Sequence, residues 1–300
     1  MKILITGSNG LLGQKLVDKL RNKKDPDWSG QLIATALGPD RYPFTEGYVY
    51  DSLDIGNEAE VKTIIQKHKP DCIINTAAMT NVDGCETDHE GCNKLNVHAV
   101  KYLAQAAEEI NARLIHLSTD FIFDGTHGPL KEDEEPKPLS YYGNSKYIGE
   151  QMVQQYCSKW AILRTVLVYG VVHNMSRSNI VLWVKSSLEN GLTINVVDDQ
   201  FRTPTLAEDL ADGCILAATK NAQGIYNICG KEFMSIYDLA QRIAEHWQLN
   251  KSLICRAQSA DINQPAKRPP ITGFNISKAR TELGYEPHSL EEGLSILHLH

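Results

Sequence analysis

Residues 4–16 read "LITGSNGLLGQKL". Three glycines, Gly7, Gly10 and Gly13, are spaced G-x-x-G-x-x-G between a short apolar run and an amphipathic one. Each has a physical task in a strand-to-helix turn that receives a pyrophosphate. Gly7 permits the sharp turn, Gly10 lets the backbone approach the phosphates, and Gly13 lets the helix pack closely on the strand. The helix start adds unpaired N–H groups and the positive end of its dipole. A glycine-rich turn can also exist with no ligand. A strand before it and a helix after it favour a dinucleotide.

Outward from this turn, short apolar runs alternate with longer amphipathic ones. Strands are expected over 2–6, 31–36, 47–50, 71–75, 113–118 and 160–164, and helices over 11–20, 58–68, 94–110 and 142–156. "CIIN" and "LIHLS" are continuous apolar runs of the kind that strands buried on both faces show. The alternation predicts a parallel sheet with right-handed crossovers and helices on both sides, a doubly wound α/β domain over 1–170. After Tyr169 the rhythm changes. Helices are expected over 180–188, 206–218 and 235–247, with strands inside 193–205 and over 224–228. Ser235 to Asp238 and Ser289 to Glu292 have the spacing of helix caps. The expected division is a nucleotide-binding part, 1–170 joined by 205–228, and a smaller mixed C-terminal substrate-binding region, 171–204 with 229–300.

The whole chain sets bounds on function. Its 300 residues suffice for one large domain or two modest ones, and 42% apolar with 22% charged residues is ordinary for a soluble protein. The formal net charge of −7, with no basic run, argues against nucleic acid as a partner. Seven scattered cysteines with no C-x-x-C pair argue against a disulfide framework or a metal site and fit a reducing compartment. No signal-peptide pattern opens the sequence, and no apolar stretch approaches the ~20 residues that span a bilayer. A cytoplasmic protein is expected.

The second strand ends "ATALGPDR", residues 34–41. A carboxylate at this point would accept from the adenosine ribose hydroxyls and repel a 2′-phosphate. No acid stands at Ala36 or Leu37, and Arg41 follows, so the expected cofactor is NADP or NAD with NADPH preferred. Asp40 and Arg41 can also be read as a loop cap.

The chemical end lies in "LIHLSTDFIFDG" and "SYYGNSKYIGEQ". The first ends a central strand with Ser118, Thr119 and Asp120, where a hydroxyl faces the ligand crevice of a parallel sheet. In the second, Tyr142 and Lys146 are four apart and share one helical face. A phenol of pKa about 10 is a poor acid or base at neutral pH. A neighbouring ammonium favours the phenolate, and the same lysine can donate to a nicotinamide ribose. Thr119 can polarise a substrate carbonyl while Tyr142 gives it a proton. Tyr141 is then a packing or substrate-side neighbour. The bland alternative makes the tyrosines core aromatics, the lysine a surface charge and the Ser/Thr pair a simple chain turn.

The ordered set "TGSNGLLG", "LDI" (53–55), "NTAAMT" (75–80), "STDFIFDG", "YGNSK" and "RTVLVYG" resembles the extended short-chain dehydrogenase/reductase family. "DQFRTPT" (199–205) and the tail "RPPITGFNISKARTELGYEP" (268–287) are similar to those of its dTDP-4-dehydrorhamnose reductases. The resemblance implies a Rossmann-like fold and NAD(P)H-dependent reduction of the 4-keto group of a nucleotide-linked 6-deoxyhexulose, giving dTDP-L-rhamnose. Carried over by position, it implies catalysis by Thr119, Tyr142 and Lys146. Gly7, Asn9, Gly10, Leu11 and Leu12 would bind the cofactor phosphates. Asp54 and Ile55 would lie by the adenine, and Ala77, Ala78 and Met79 would line the nicotinamide side. Thr80, Val82 and Arg202 would face the sugar nucleotide, beside Asp120. The family often carries a tyrosine where Met79 stands and a tryptophan at Leu167, so an aromatic platform is missing. Some members form a metal-bridged dimer; no ligand cluster for that is evident here, and a monomer or homodimer is expected. Two alternatives remain: an NDP-sugar epimerase or dehydratase of the same superfamily, and a non-catalytic subunit resembling the regulatory subunit of methionine adenosyltransferase. Dehydratases tend to follow Thr-Asp with a second acid, and this chain has Phe121 there.

Overall fold

The computed structural model describes residues 1–21, 30–175, 178–262 and 264–297. Its centre is a seven-stranded sheet in which every pair of neighbours is parallel. The first six strands are β1 (Lys2–Thr6), β2 (Gln31–Ala36), β3 (Val49–Ser52), β4 (Cys72–Asn75), β5 (Arg113–Thr119) and β6 (Trp160–Thr165). Three short strands follow, β7 (Val168–Tyr169), β8 (Ile194–Val197), and β9 (Phe201–Arg202), then β10 (Thr205–Leu206) and β11 (Gly224–Asn227). The sheet order is β11-β6-β5-β4-β1-β2-β3, so the order reverses between β1 and β4. A crevice opens at such a switch point, beyond the carboxyl ends of the strands.

Residues two apart on a strand share a face, and here both faces are apolar. Ile3 and Ile5 of β1 belong to one core, beneath α1 (Leu11–Arg21). Leu4 belongs to the other with Ile73, Leu114 and Ile162, beneath α2 (Glu58–His68) and the helices that follow. Those are α3 (Val82–Thr87), α4 (His89–Asn93), α5 (Ala99–Glu109) and α6 (Tyr141–Tyr156). A wide π-helical turn over Lys94–His98 joins α4 to α5. Side chains start the helices: Asn57 accepts from the N–H groups of Ala59 and Glu60 at α2, and Ser140 from that of Gly143 at α6.

The C-terminal part has its own core, built by α7 (Ile180–Glu189), α9 (Ile236–His246) and α10 (Leu290–Ile296) with Val184, Ile243 and Leu294. It includes β12 (Met234–Ser235), paired antiparallel with β9, and β13 (Ile254–Ala257), paired parallel with β8. Between α7 and α9 the chain returns to the sheet: α8 (Ala207–Thr219) contributes Leu210 and Ile215 to the core beneath α1, and β11 pairs with β6.

Several expected elements shift. The third strand lies two residues later than the 47–50 reading, because Gly47 sits at φ +89, outside strand geometry. The helix expected over 94–110 is two pieces, the π turn over Lys94–His98 and then α5, and neither α3 nor α4 was expected. Ser289 and Glu292 form a reciprocal capping box, whereas Asp238 reaches the hydroxyl of Ser235 and not its N–H.

Candidate active site

A cleft of about 890 Å³ runs along the switch point from the glycine turn to Arg202 and Arg268. At its phosphate end the three glycines have distinct reasons. Gly7 has φ +70, and a Cβ there would sit 2.9 Å from the backbone of Ala77. Gly13 does not line the cleft: a Cβ on it would lie 2.6 Å from Ser8 Cα, so it is a packing glycine. A Cβ on Gly10 would meet only Gly7 O, at 3.2 Å, and Gly10 lines the cleft with Asn9, Leu11 and Leu12. Asn9 braces the adjoining loop by accepting from Arg41 N at 2.8 Å and donating to Pro39 O at 3.0 Å.

At the end of β2 itself no carboxylate faces the cleft. Asp40 accepts from the Tyr48 hydroxyl at 2.5 Å and from Tyr42 N at 3.0 Å, and it is not a lining residue. Ala36, Leu37, Arg41, Leu53, Asp54 and Ile55 line this end. Farther in are Ala77, Ala78, Thr80 and Val82.

The chemical end gathers Thr119, Asp120, Tyr142 and Lys146 at the end of β5. Ser140 caps α6 just before Tyr142, so the first turn of the helix faces the strand end. Burial pushes the Tyr142 hydroxyl above its ordinary pKa; its hydrogen bond with Thr119 lowers it, and the Asp120 carboxylate raises it. The sequence reading gave the lowering to Lys146. The lysine instead donates to Leu117 O at 2.6 Å, with His116 Nε2 at 3.5 Å, and burial brings its own pKa down to about 8. Thr119 donates to Asp120 Oδ1 at 3.1 Å. The other Asp120 oxygen accepts from Thr272 at 2.5 Å and lies 3.4 Å from Arg202 Nε. Burial raises the Asp120 pKa against these partners.

Two expected residues have other surroundings. Met79 is not a lining residue; Asn96 holds its N–H and its carbonyl at 2.9 and 3.0 Å, and its side chain packs with Cys85, Cys92 and Tyr142. Arg202 reaches the cleft, yet its guanidinium is 3% exposed and donates to the carbonyls of Phe201, Pro269 and Pro270. It braces the tail segment. Arg268, which the sequence reading quoted without assigning, lines the cleft and is held by Asp83 at 2.9 and 3.2 Å. Ser118, Asn179 and Phe121 also line it. Phe121 packs edge-on to Tyr142 with ring centres 5.8 Å apart, so an aromatic surface is present, from a position other than 79 or 167.

The residues present fit a nicotinamide dinucleotide. The cleft is floored by a turn where a Cβ on Gly7 would strike Ala77 and Thr76, both lining residues, and Ser118 Oγ is buried in it with no partner among the described residues. A doubly wound parallel sheet, a glycine turn at its switch point and a Tyr-x-x-x-Lys helix beside it define an extended short-chain dehydrogenase/reductase. Within that class, the chain belongs to the family described as the RmlD substrate binding domain, whose model matches residues 1–298. It is 32% identical to the dTDP-4-dehydrorhamnose reductase of Aggregatibacter actinomycetemcomitans, over 98% of this chain and 97% of that one. It is 33% identical to methionine adenosyltransferase 2 subunit beta of Xenopus laevis, over 84% of this chain and 73% of that one. The structure matches that of dTDP-4-dehydrorhamnose reductase from Bacillus anthracis in complex with NADP, with TM-score 0.84 and 26% identity over 98% of this chain and 97% of that one.

Proposed function

We propose that the chain reduces the 4-keto group of dTDP-4-dehydrorhamnose with NADPH or NADH, giving dTDP-L-rhamnose, as a cytoplasmic monomer or homodimer. One observation carries this reading: Thr119, Tyr142 and Lys146 converge at the carboxyl end of β5, in the cleft that the glycine turn floors. Residues 1–170 with 205–228 hold the cofactor in this reading, and 171–204 with 229–300 the sugar nucleotide. A reduced nicotinamide held at the switch point would supply the hydride that the ketone carbon takes up. Tyr142 gives its proton to the ketone oxygen. The Thr119 hydroxyl, hydrogen-bonded to Asp120 and beside Tyr142, supports the phenolate as it forms and can polarise the ketone oxygen. Lys146, charged as the ammonium one helical turn from Tyr142, would offset the negative charge of the phenolate as it forms and would donate to the ribose of a bound cofactor. Phe121 in place of a second carboxylate leaves no acid–base pair for the water elimination of a dehydratase.

The test is incubation with NADPH or NADH and dTDP-4-dehydrorhamnose, followed by the loss of reduced-nicotinamide absorbance. Turnover that requires both components supports the reading. The likeness to a methionine adenosyltransferase subunit favours a second one, a chain that binds cofactor and acts through a protein partner. Cofactor binding without turnover of dTDP-, UDP- or GDP-linked keto-sugars would select it.

A further inference from the structure

His116 has no role in the chemistry above, yet it is wholly buried and its ring lies directly behind Lys146. It ends a row of polar side chains that crosses the centre of the sheet. Thr6 of β1 is in register with Asn75 of β4, and Asn75 with His116 of β5. Two residues earlier on the same strands, the same face carries Leu4, Ile73 and Leu114, all core. The layer next to the cleft has thus exchanged aliphatic packing for a linked set of polar groups. A buried polar group is tolerated when it is satisfied, and this row is. Thr6 Oγ1 is 2.6 Å from Asn75 Oδ1, Asn75 Nδ2 is 3.0 Å from His116 Nδ1, and His116 Nε2 is 3.5 Å from Lys146 Nζ.

These distances give the row a direction. A 2.6 Å separation suits O–H to oxygen, and 3.0 Å suits N–H to nitrogen. The Thr6 hydroxyl therefore donates to the Asn75 carbonyl oxygen, which turns the Asn75 amide N–H toward His116 Nδ1. Nδ1 is then the acceptor, and the proton of the neutral ring sits on Nε2. Gly149 of α6 lies against the same ring: a Cβ there would make an ordinary 3.6 Å contact with Nε2, but would strike Asn96 O at 2.6 Å, so the glycine serves the close approach of the π turn to α6.

We propose that the Thr6–Asn75–His116 row is a positioning device for Lys146: it fixes the His116 tautomer so that an N–H, and not a lone pair, faces the lysine nitrogen. His116 is a positioning residue, since it acts only through Lys146. Facing a donor, the amine of Lys146 is favoured over the ammonium, so the lysine exchanges its proton closer to neutrality than its other neighbours allow. Those neighbours are Glu150, a turn farther along α6 and paired with Arg164 of β6, and Cys92 of α4; both favour the ammonium. Tyr142 precedes it on α6 by one turn. Burial of His116 keeps its ring neutral, as the device requires.

The proposal rests on the catalytic reading of Lys146, but its test does not need turnover. Nitrogen NMR of the intact protein, with the His116 signal assigned by its loss in His116→Leu, reads the tautomer. Lysine side-chain NMR, with Lys146 assigned by Lys146→Met, reads the titration of that amine. The expected results are a neutral ring protonated at Nε2 and a Lys146 midpoint that rises in His116→Leu. Thr6→Val removes the hydroxyl that orients Asn75 and keeps its shape, so it should also raise the midpoint, should the histidine variant not fold. A ring protonated at Nδ1, or a midpoint that stays in place or falls in the folded variants, overturns the proposal. Absence of keto-sugar turnover with these NMR results intact would count against the proposed reaction alone.

Discussion

The Arg164 guanidinium and the Glu150 carboxylate form a two-pronged ion pair inside the protein, Nε to Oε1 at 3.0 Å and Nη2 to Oε2 at 2.8 Å, with side chains 2% and 1% exposed. It ties β6 to α6, the helix that carries Tyr142 and Lys146. Removing one partner leaves an uncompensated buried charge, which typically costs about 3–5 kcal/mol. Arg164→Ala should lower the unfolding free energy by about that much in urea titration. A loss below about 1 kcal/mol, the level of an exposed pair, would contradict the buried geometry.

The same carboxylate bears on the pH profile. Lys146 titrates at about 8 in the structure, lowered by burial and supported by Glu150. The lysine is charged below that value and loses its charge as pH rises through it. Keto-sugar reduction should therefore fall on the alkaline side with a midpoint near about 8. Glu150→Gln withdraws support from the ammonium, so the midpoint should move to lower pH. A profile flat to pH 10, or a midpoint that moves up in the variant, goes against a charged Lys146 as the working form.

Tyr142→Phe keeps the ring, and with it the packing against Phe121, but removes the proton donor. General acid–base groups contribute roughly 10²–10⁴-fold, so kcat should drop by that factor with cofactor affinity nearly unchanged. Tyr141→Phe should matter far less: its hydroxyl accepts from Asn93 at 2.6 Å, and its ring stacks on His89 with centres 3.7 Å apart, away from Thr119. Lys146→Ala should reduce both rate and cofactor affinity. Wild-type turnover by Tyr142→Phe would remove the catalytic assignment.

The glycine turn offers a paired test. Gly10→Val places a branched side chain where the backbone meets the pyrophosphate, with only one close protein contact. It should weaken cofactor binding strongly and leave the melting temperature close to wild type. Gly13→Ala drives a methyl into Ser8 Cα and should act in the opposite sense, lowering stability first. Calorimetric titration with NADPH and thermal melts of both variants separate the two effects.

Arg41 lines the cleft at the end of β2, while Asp40 is occupied by Tyr48 and Tyr42. NADPH should therefore bind modestly more tightly than NADH, and Arg41→Ala should narrow the difference. Dissociation constants for both cofactors check it; tighter NADH binding by the wild type would reverse the assignment.

How much was legible beforehand follows from what each signal encodes. The period of the apolar runs is local, so β1, β2, β5, α1, α2 and α6 were placed to within a residue or so. The glycine turn and the Tyr142–Lys146 spacing are also local; the turn keeps its physical reason, whereas the pair reaches the cleft without the lysine lowering the phenol pKa. Partners chosen across long distances in sequence were not legible. Lys146 turns to Leu117 and His116, Asp120 to Thr272, and Arg268 to Asp83, and no spacing rule links those positions. The π turn at Lys94–His98 opens a stretch whose apolar pattern reads as plain helix, and Asn96 within it reaches Met79 and Ser145, partners that are distant in sequence.

The seventh strand has a consequence for how the protein is made. The chain leaves the sheet after β6, lays down α7 and β8, and only then returns with α8 and β11 to take the place beside β6. A nascent chain that has emerged only through β7 holds β6 as an open edge, with its hydrogen-bonding groups ready for any other strand. That edge persists on the ribosome until residues 224–227 arrive, the interval in which chaperone capture or mispairing between neighbouring nascent chains has its opening. A stop codon placed between β7 and β11 should therefore yield an aggregating fragment and not a small working nucleotide-binding module.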